Sequence, residues 1–343
     1  MSLYSNMIRK LKTPEVMSQI NHLYGKRDGV LVEQTARLTR MIRKHEEHFN
    51  AKKDVFVVSA PGRVEIVGNH TDHNKGKVLA AAANVDTIAV VSPRKDMVVH
   101  LYSDGYAPIT VDLESLEMRK EEQGTSVAIV RGIAAKMKAM GVPIGGFEAV
   151  VTSTVLNGSG LSSSAAFEVL VVSMMDKLYG DWSLQAEERA KIGQFAENHY
   201  MGKPTGLMDQ MASSVGGFVS IDFKHEEAKV KHMEFDFSEK GYSIVVVNTG
   251  GNHADLTADY ASIREEMQAV ANYFGEQNLS KVRQEQVFQE IGGLRGKVSD
   301  RAILRSLHYF SENKRVDAAV SALKKGNIET FLDVVIASGE SSF

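Results

Sequence analysis

The sequence predicts a two-domain α+β protein, and three observations lead to this fold class. The chain has 343 residues, about twice the length of a typical domain. Apolar residues make up 43% and charged residues 24% of the chain, which is ordinary for a folded globular protein. Strand-like and helix-like segments are mixed without the strict βα alternation of a doubly wound sheet. Because Gly202-Lys-Pro gives the best boundary signal, we predict domains over 1–203 and 204–343.

The first domain is predicted to begin with helices and to continue with a sheet. Positions on one helical face recur in the first fifty residues at Leu31, Leu38, Ile42, His45 and Phe49. β-rich runs between turn residues follow. The segment 162–179 is apolar nearly all round, which predicts a buried helix. The predicted strands cover 55–59, 77–92, 97–102 and 147–155, and the predicted helices cover 126–140, 162–179 and 186–201.

The second domain is predicted to place three strands before a group of helices. The strands alternate or run apolar between turn residues, and the helices show the 3.6-residue period. The predicted strands cover 217–223, 230–235 and 242–248, and the predicted helices cover 256–274, 299–310, 315–325 and 328–338.

Charge and composition exclude several classes of function. With 40 basic and 43 acidic residues the formal charge is −3, so nothing draws the whole chain to nucleic acid or to an anionic membrane. The absence of cysteine excludes disulfides and thiolate chemistry. We find no signal peptide and no membrane span in the sequence. The sequence therefore predicts a cytoplasmic protein with no nucleic acid, membrane or obligatory protein partner.

A glycine-serine loop between a strand and the buried helix is a candidate phosphate-binding site. The loop reads Asn157-Gly-Ser-Gly-Leu-Ser-Ser-Ser-Ala-Ala166. Small residues let the backbone approach an anion, and the first helical turn offers N–H groups that have no acceptor within the helix. The loop is neither a Walker A nor a Gly-x-Gly-x-x-Gly motif. A flexible turn with a serine N-cap is the alternative.

A second polar cluster, Pro61-Gly-Arg-Val-Glu-Ile-Val-Gly-Asn-His-Thr-Asp-His-Asn74, lies after the first strand. Asp accepts hydrogen bonds from two hydroxyls, and His and Asn both donate and accept, so the cluster suits a polyhydroxyl ligand. His70, Asp72 and His73 are also ligand types for zinc or iron. A solvated turn is the third interpretation.

Two acids stand further along the chain. Asp209 lies among apolar residues in Gly206-Leu-Met-Asp-Gln-Met211, and a buried carboxylate there would need N–H donors or a cation. Taken alone, it would more simply cap a helix. Glu197, twelve residues earlier, would be assigned to the surface or to a cap. Sequence spacing by itself does not bring these groups together.

Together the three segments resemble the galactokinase branch of the GHMP small-molecule kinases. Pro61 to Leu79 is similar to the sugar signature of that branch, Gly158 to Ala166 to its phosphate loop, and Gly206 to Gln210 to its catalytic-acid segment. The resemblance implies mixed or antiparallel sheets with helices and an active site in the cleft between two domains. It also implies ATP, Mg²⁺ and transfer of the γ-phosphoryl group to the anomeric hydroxyl of a hexose, with galactose favoured.

The resemblance assigns roles residue by residue. Asp209 would be the catalytic base, with Arg63 beside it to keep it ionised and to neutralise charge on the phosphoryl group. Ser164 and Glu197 would face Mg²⁺. The residues implied to bind ATP are Gly158, Ser159, Gly160, Leu161, Ser162, Ser163, Ser164 and Ala165. The residues implied to bind the sugar are Asn69, His70, Asp72, Gly206 and Tyr260.

The chain departs from the family pattern at several positions. Asn69 and His73 stand where the signature usually has Glu and Tyr, which affects sugar preference. Leu156 stands where the phosphate loop usually has Pro. The sequence stops at Phe343, before the glycine-rich third signature of the family. The second domain is therefore expected to be truncated, and we expect reduced or absent activity from the 343-residue form.

These departures keep other functions open. A catalytically silent sugar or nucleotide sensor on the same fold is one alternative. A GHMP kinase for another sugar or small alcohol is a second. A metal-dependent hydrolase built on His70, Asp72 and His73 is a third, although the sequence has no second His-rich cluster.

Overall fold

The computed structural model describes residues 2–52, 54–156, 158–247 and 257–342, of which 238, 257, 258 and 260 are described by their backbone alone. These residues form twelve α-helices and seven strands, and none of the helices is both long and apolar enough to cross a membrane. The strands are β1 (Phe56–Val67), β2 (Lys77–Pro93), β3 (Val98–Ser103), β4 (Ile109–Asp112), β5 (Phe147–Ser153), β6 (Phe218–Asp222) and β7 (Lys229–Met233). The helices are α1 (Leu3–Lys10), α2 (Pro14–Tyr24), α3 (Val30–His48), α4 (Ser126–Ala139), α5 (Ser163–Tyr179), α6 (Ala186–Phe195), α7 (Met208–Val215), α8 (Thr257–Tyr273), α9 (Gln284–Gln289), α10 (Ile291–Arg295), α11 (Asp300–Lys324) and α12 (Ile328–Ser342).

By packing, the chain divides into two compact units. Unit 1 contains residues 1–62 and 83–214, and unit 2 contains residues 63–82 and 215–343. This grouping differs from the predicted split between residues 203 and 204, because the segment 63–82 packs with the C-terminal part of the chain. The long strands β1 and β2 each contribute residues to both units.

Unit 1 is built on a mixed sheet with strand order β4-β3-β5-β2. β3 and β5 are parallel, whereas β3 with β4 and β2 with β5 are antiparallel. A parallel pair needs a crossover connection, and α4 lies between β3 and β5 in the chain. The core packs the sheet against α4 and α5 through residues such as Val91, Val151, Ile133 and Leu170. The buried helix predicted over 162–179 is confirmed as α5.

The N-terminal helices form a second cluster within unit 1. Tyr4 of α1 and Met41 and Ile42 of α3 pack on Ile88 of β2 and Val150 of β5. The mainly helical start that the apolar spacing predicts is therefore confirmed, and its apolar face covers one side of the sheet.

Unit 2 combines an antiparallel sheet with helices. Residues 77–81 of β2 pair with β6, and β6 pairs with β7. One core cluster joins Leu79 and Phe218 of this sheet to Val316 of α11 and Phe331 of α12. Another cluster packs α8 and α11 through residues that include Met267, Val270, Ile303 and Phe310.

Two predicted elements of the second half differ from the structure. The separate helices predicted over 299–310 and 315–325 are one continuous helix, α11. The polar residues between the two predicted helices include Glu312 and Asn313, and these side chains have hydrogen-bond partners. The Asn313 side-chain amide donates to the Tyr309 carbonyl inside the helix. Residues 242–247 of the strand predicted over 242–248 are irregular, and none of the described strands pairs with them. Asn248 lies outside the described residues.

Candidate functional site

The candidate phosphate loop leads directly into α5. Gly158, Gly160 and Ser162 have φ values of +73°, +75° and +58°, so the chain turns through left-handed conformations that favour glycine. α5 begins at Ser163, and Ser162 does not cap it with its side chain. The first-turn N–H groups of this long helix therefore lie at the positive end of its dipole, which suits an anion. Asn157 lies outside the described residues.

Gly62 explains how β1 approaches the loop so closely. A Cβ atom on Gly62 would lie 2.9 Å from the Leu161 carbonyl oxygen and 3.1 Å from a Val155 methyl group. Both distances are shorter than ordinary van der Waals contact. Gly62 is therefore required for the packing of the sugar-signature strand against the phosphate loop within unit 1.

The Asp209 side chain contacts Ser162, the residue that precedes α5. Its Oδ2 accepts a 2.6 Å hydrogen bond from the Ser162 hydroxyl. α7, which carries Asp209, is held to β1 by the Ser213 hydroxyl, which donates to the Pro61 carbonyl at 2.7 Å. Asp209 is only half-buried and occupies the first turn of α7, where the helix dipole favours a negative charge.

Glu197 lies in a π-helical turn (Ala196–Met201) that continues α6. The residue is 1% exposed, and donors engage both of its oxygens. Lys203 Nζ donates to Oε1 at 2.9 Å, and Thr205 Oγ1 donates to Oε2 at 2.6 Å. A surface or capping role for Glu197 is therefore wrong, because the carboxylate is inside the protein and paired with a cation. π-helical turns are often found at functional sites.

A second buried acid, Glu168 of α5, lies beside Glu197. The Gln210 side-chain amide bridges them, with Nε2 at 2.9 Å from an oxygen of each carboxyl group. The other oxygen of Glu168 and that of the Gln210 amide have no hydrogen-bond partner among the described residues. Burial first, and then the charge of Glu197, raise the pKa of Glu168. The protonated form of Glu168 is therefore more favoured than that of an exposed glutamate.

In unit 2 the sugar-signature segment forms a packed turn, not a solvated one. Thr71 is fully buried, and its hydroxyl lies within hydrogen-bond distance of the carbonyls of Gly68 and Lys77. Asn74 is 1% exposed and accepts from the Leu279 N–H at 3.3 Å. The turn closes at Gly76, where a Cβ atom would lie 2.6 Å from that of Thr71.

Long helices hold the same turn from the other side. Glu312 Oε2 of α11 accepts from the backbone N–H groups of Gly68 and Asn69 at 2.8 and 3.3 Å. His308 Nε2 of α11 donates to the Asn69 carbonyl at 2.9 Å. The Asn69 amide lies 3.3 Å from the Ser338 hydroxyl of α12. The signature turn is thus attached to two helices that are far away in sequence.

Two histidines of the turn are held neutral. Burial, followed by the charges near them, lowers the pKa of His70 and lowers that of His73 to about 4. The Asn74 amide donates to His73 Nδ1 at 3.0 Å, so His73 carries its proton on Nε2. No group of three or more His, Asp or Glu side chains is placed to hold a metal ion in the part of the chain that the structure describes.

The predicted site residues fall into two sets. Ser162, Glu197 and Asp209 lie in unit 1 with the phosphate loop, whereas Arg63, Asn69, His70 and Asp72 lie in unit 2. The predicted pairing of Arg63 with Asp209 stays a prediction. Gly206 is exposed, and the side chain of Tyr260 lies outside the described residues.

Glu168, Gln210 and Glu312 of these networks are not among the site residues predicted from the sequence. Glu168 could have been suspected, because it is an acid inside an otherwise apolar helix. Gln210 and Glu312 carry no local signal, since each has its role through partners distant in sequence.

Comparison with known proteins decides the family. The galactokinase galactose-binding signature matches residues 43–93, and the N-terminal domain of the GHMP kinases matches residues 128–217. Human galactokinase is 32% identical over 309 residues, which are 87% of this chain and 76% of the human protein. The chain belongs to the galactokinase family. Galactokinase of Lactococcus lactis subsp. lactis is 30% identical and covers 91% of this chain, with 79% of its own length matched.

The predicted fold is confirmed for this galactokinase-family chain. The crystal structure of Lactococcus lactis galactokinase complexed with galactose superposes with a TM-score of 0.73 at 26% identity, over 89% of this chain and 79% of that one. A D-glycero-D-manno-heptose 1-phosphate kinase from Bacteroides thetaiotaomicron, at 14% identity and a TM-score of 0.52 over 84% and 79% of the two chains, shares the fold alone. The chain has the GHMP-kinase fold with a mixed sheet.

Proposed function

We propose that this chain transfers the γ-phosphoryl group of ATP to the anomeric hydroxyl of galactose. Membership of the galactokinase family supports the reaction, and the relative solved with galactose supports the sugar. The observation that carries the proposal is the 2.6 Å hydrogen bond from Ser162 to Asp209. It places a carboxylate at the start of the helix whose N–H groups suit a phosphate.

Asp209 is the proposed base. Its carboxylate accepts the proton of the anomeric hydroxyl as the sugar oxygen forms a bond to the γ-phosphorus. The bond from that phosphorus to the β-phosphate oxygen breaks, and ADP leaves with the electron pair. The Ser162 hydroxyl holds one carboxylate oxygen and so fixes the direction of the other. Since phosphoryl transfer asks for little covalent chemistry from the protein, the rate comes mainly from positioning and electrostatics. Arg63 is proposed to neutralise charge on the transferred group.

The phosphate loop is the proposed ATP site. The proposed contacts are the backbone and hydroxyl groups of Gly158, Ser159, Gly160, Leu161, Ser162, Ser163, Ser164 and Ala165. Two features support this: the left-handed backbone at Gly158, Gly160 and Ser162, and the start of α5 at Ser163. Together they place backbone N–H groups beside a dipole end of the sign that binds phosphate.

Ser164 and Glu197 are the proposed residues on the Mg²⁺ side. Hydroxyl and carboxylate oxygens form the hard donor set that Mg²⁺ prefers, so the residues present fit this ion. The Lys203 side chain, which pairs with Glu197 Oε1, is 57% exposed and can leave toward solvent. When bound, Mg²⁺ supplies charge neutralisation on the β- and γ-phosphate oxygens.

The sugar is proposed to bind the signature turn. His70 and Asp72 would contact its hydroxyls, together with Gly206 and Tyr260. A neutral His70 offers one donor and one acceptor, which suits hydroxyl groups. Asn69 is the position of this turn that departs from the family pattern.

A sugar panel tests the proposal. In a coupled ADP-release assay with ATP and Mg²⁺, galactose should give the highest kcat/KM among galactose, N-acetylgalactosamine, galactosamine, glucose and arabinose. A higher kcat/KM for another sugar would show that this other sugar, and not galactose, is the preferred substrate. Thermal stabilisation by galactose plus a non-hydrolysable ATP analogue, with no ADP released from ATP, would identify a silent sensor instead.

A further inference from the structure

A buried carboxylate on α11 fixes the backbone of the sugar-signature turn. The Glu312 side chain is fully buried, and its Oε2 accepts from Gly68 N–H, from Asn69 N–H and from the Ser338 hydroxyl at 2.7 Å. Its Oε1 accepts from the Arg315 guanidinium at 2.7 Å. Four donors on one buried carboxylate form charge-assisted hydrogen bonds, which are shorter and stronger than neutral ones.

The peptide groups that Glu312 binds lie in a turn with restricted backbone conformations. Gly68 has φ +108°, and a Cβ atom there would clash with the Lys77 carbonyl. His70 has φ +59°, a left-handed conformation that a residue other than glycine adopts only when its surroundings impose it. Glu312 accepts a hydrogen bond from the Asn69 N–H, and His308 donates one to the Asn69 carbonyl, so the peptide groups on both sides of Asn69 are bound by α11. α11 thus holds the backbone that immediately precedes His70.

The Asn69 side chain belongs to the same attachment. Its amide lies 3.3 Å from the Ser338 hydroxyl and 3.1 Å from the Ser342 hydroxyl, and it donates to both. Both serines are on α12. The amide group is therefore engaged with a helix, and the same Ser338 hydroxyl donates onward to Glu312.

We infer that Glu312 is a positioning residue for galactose binding, which acts through the backbone of Gly68 and Asn69 on His70 and Asp72. We infer further that Asn69 and Ser338 fasten the turn to α12, so that Asn69 supports the sugar site without contacting the sugar. The inference rests on the proposed function, because galactose is the ligand whose binding the turn would control.

The variants are Glu312→Gln, which removes the charge at nearly constant volume, and Ser338→Ala, which removes one donor. Asp300→Asn is the matched control, because Asp300 is on the same helix but its side chain is 69% exposed. Circular dichroism and the melting temperature report whether each variant is folded. KM for galactose, KM for ATP and kcat are measured for all four proteins.

We expect Glu312→Gln to raise KM for galactose about tenfold, because a small misplacement of binding groups is costly. KM for ATP and kcat at saturating galactose should stay within a factor of two to three. Ser338→Ala should raise KM for galactose by a smaller factor, and Asp300→Asn should not change it. An unchanged KM for galactose in folded Glu312→Gln, or equal losses in all three constants, would overturn the inference. If Glu312→Gln does not fold, Ser338→Ala decides by the same criterion.

Amide hydrogen exchange separates this inference from the proposed function. Peptides that cover residues 64–73 should exchange about tenfold faster in Glu312→Gln than in the wild type, because the acceptor of the Gly68 and Asn69 N–H groups loses its charge. Asp300→Asn should leave this exchange unchanged. A wild-type protein with no galactose-dependent ADP release would contradict the proposed function. Unchanged exchange in Glu312→Gln and Ser338→Ala would contradict the inference, whether or not the protein phosphorylates galactose.

Discussion

The Ser162 hydroxyl donates a 2.6 Å hydrogen bond to Asp209, 47 residues further along the chain. Ser162 immediately precedes α5, and Asp209 is in the first turn of α7. The bond therefore ties the start of the phosphate loop helix to the only acid of the segment Gly206–Gln210. A hydroxyl that donates to one carboxylate oxygen fixes the orientation of the whole carboxylate. This is the arrangement that a positioned base requires.

Asp209→Asn should retain galactose binding and lose turnover. The amide keeps the shape of the carboxylate but cannot accept the sugar proton, so we expect kcat to fall about 10³-fold. The ADP-release assay measures kcat, and thermal shift with galactose measures binding. Asp181→Asn is the control, because Asp181 is exposed and its left-handed backbone suits Asn. Turnover within tenfold of the wild type in Asp209→Asn would remove Asp209 from its role.

Substitution of Ser162 separates its hydroxyl from its backbone. Ser162 has φ +58°, a left-handed conformation that glycine adopts without strain. Ser162→Gly should therefore have a free energy of unfolding about 1 kcal/mol higher than that of Ser162→Ala. Both variants lose the bond to Asp209, and both should show a similar loss of kcat. Urea unfolding and the ADP-release assay measure the two quantities. A Gly variant with full activity beside an impaired Ala variant would assign the effect to the backbone alone.

Glu197→Gln should change the Mg²⁺ requirement. Loss of a carboxylate ligand should raise the Mg²⁺ concentration for half-maximal rate by about tenfold. Glu168→Gln is the matched control, since Glu168 binds the same Gln210 amide and burial raises its pKa. It should leave the Mg²⁺ requirement unchanged. Equal shifts in the two variants would show that the buried network, and not a charge on Glu197, sets the requirement.

The stability of the N-terminal helices should depend on pH through His45. Burial lowers the pKa of this fully buried histidine to about 4, below its ordinary value of about 6.5. The folded ring stays neutral while the unfolded ring takes up a proton, so stability is complete above pH 6.5 and falls toward pH 4. Between pH 7.5 and 5 this group should cost about 2 kcal/mol.

Urea unfolding of the wild type and of His45→Gln at these two pH values measures that contribution. The fall in the free energy of unfolding between pH 7.5 and 5 should be smaller in the variant by about the same 2 kcal/mol. Equal falls in the two proteins would show that His45 is not the group that titrates.

Sequence patterns predicted those parts of the site that are formed by residues close together in the chain. The turn before α5 and the apolar surface of α5 can be read from neighbouring residues, because glycine, serine and apolar periodicity act within a few positions. The family resemblance supplied the proposed roles of Asp209 and Glu197, which spacing alone did not suggest.

The rest depended on partners far apart in sequence. Glu312 lies 243 residues from Asn69, whose N–H it accepts, and no local pattern marks that pairing. The prediction of two helices in place of α11 failed for the same reason. Glu312 and Asn313 lie between the two predicted helices, and they form hydrogen bonds with the signature turn and with the helix itself. The segment 63–82 packs with unit 2 for the same reason, although it lies early in the chain.

The central claim is tested most directly by identification of the product. The purified chain is incubated with galactose, ATP and MgCl₂, and phosphorus NMR follows the reaction with Asp209→Asn as the blank. We predict ADP and galactose 1-phosphate in equal amounts, formed only when galactose is present, even where the rate is low. ATP that stays intact, or ADP that forms without a sugar phosphate, would contradict the account.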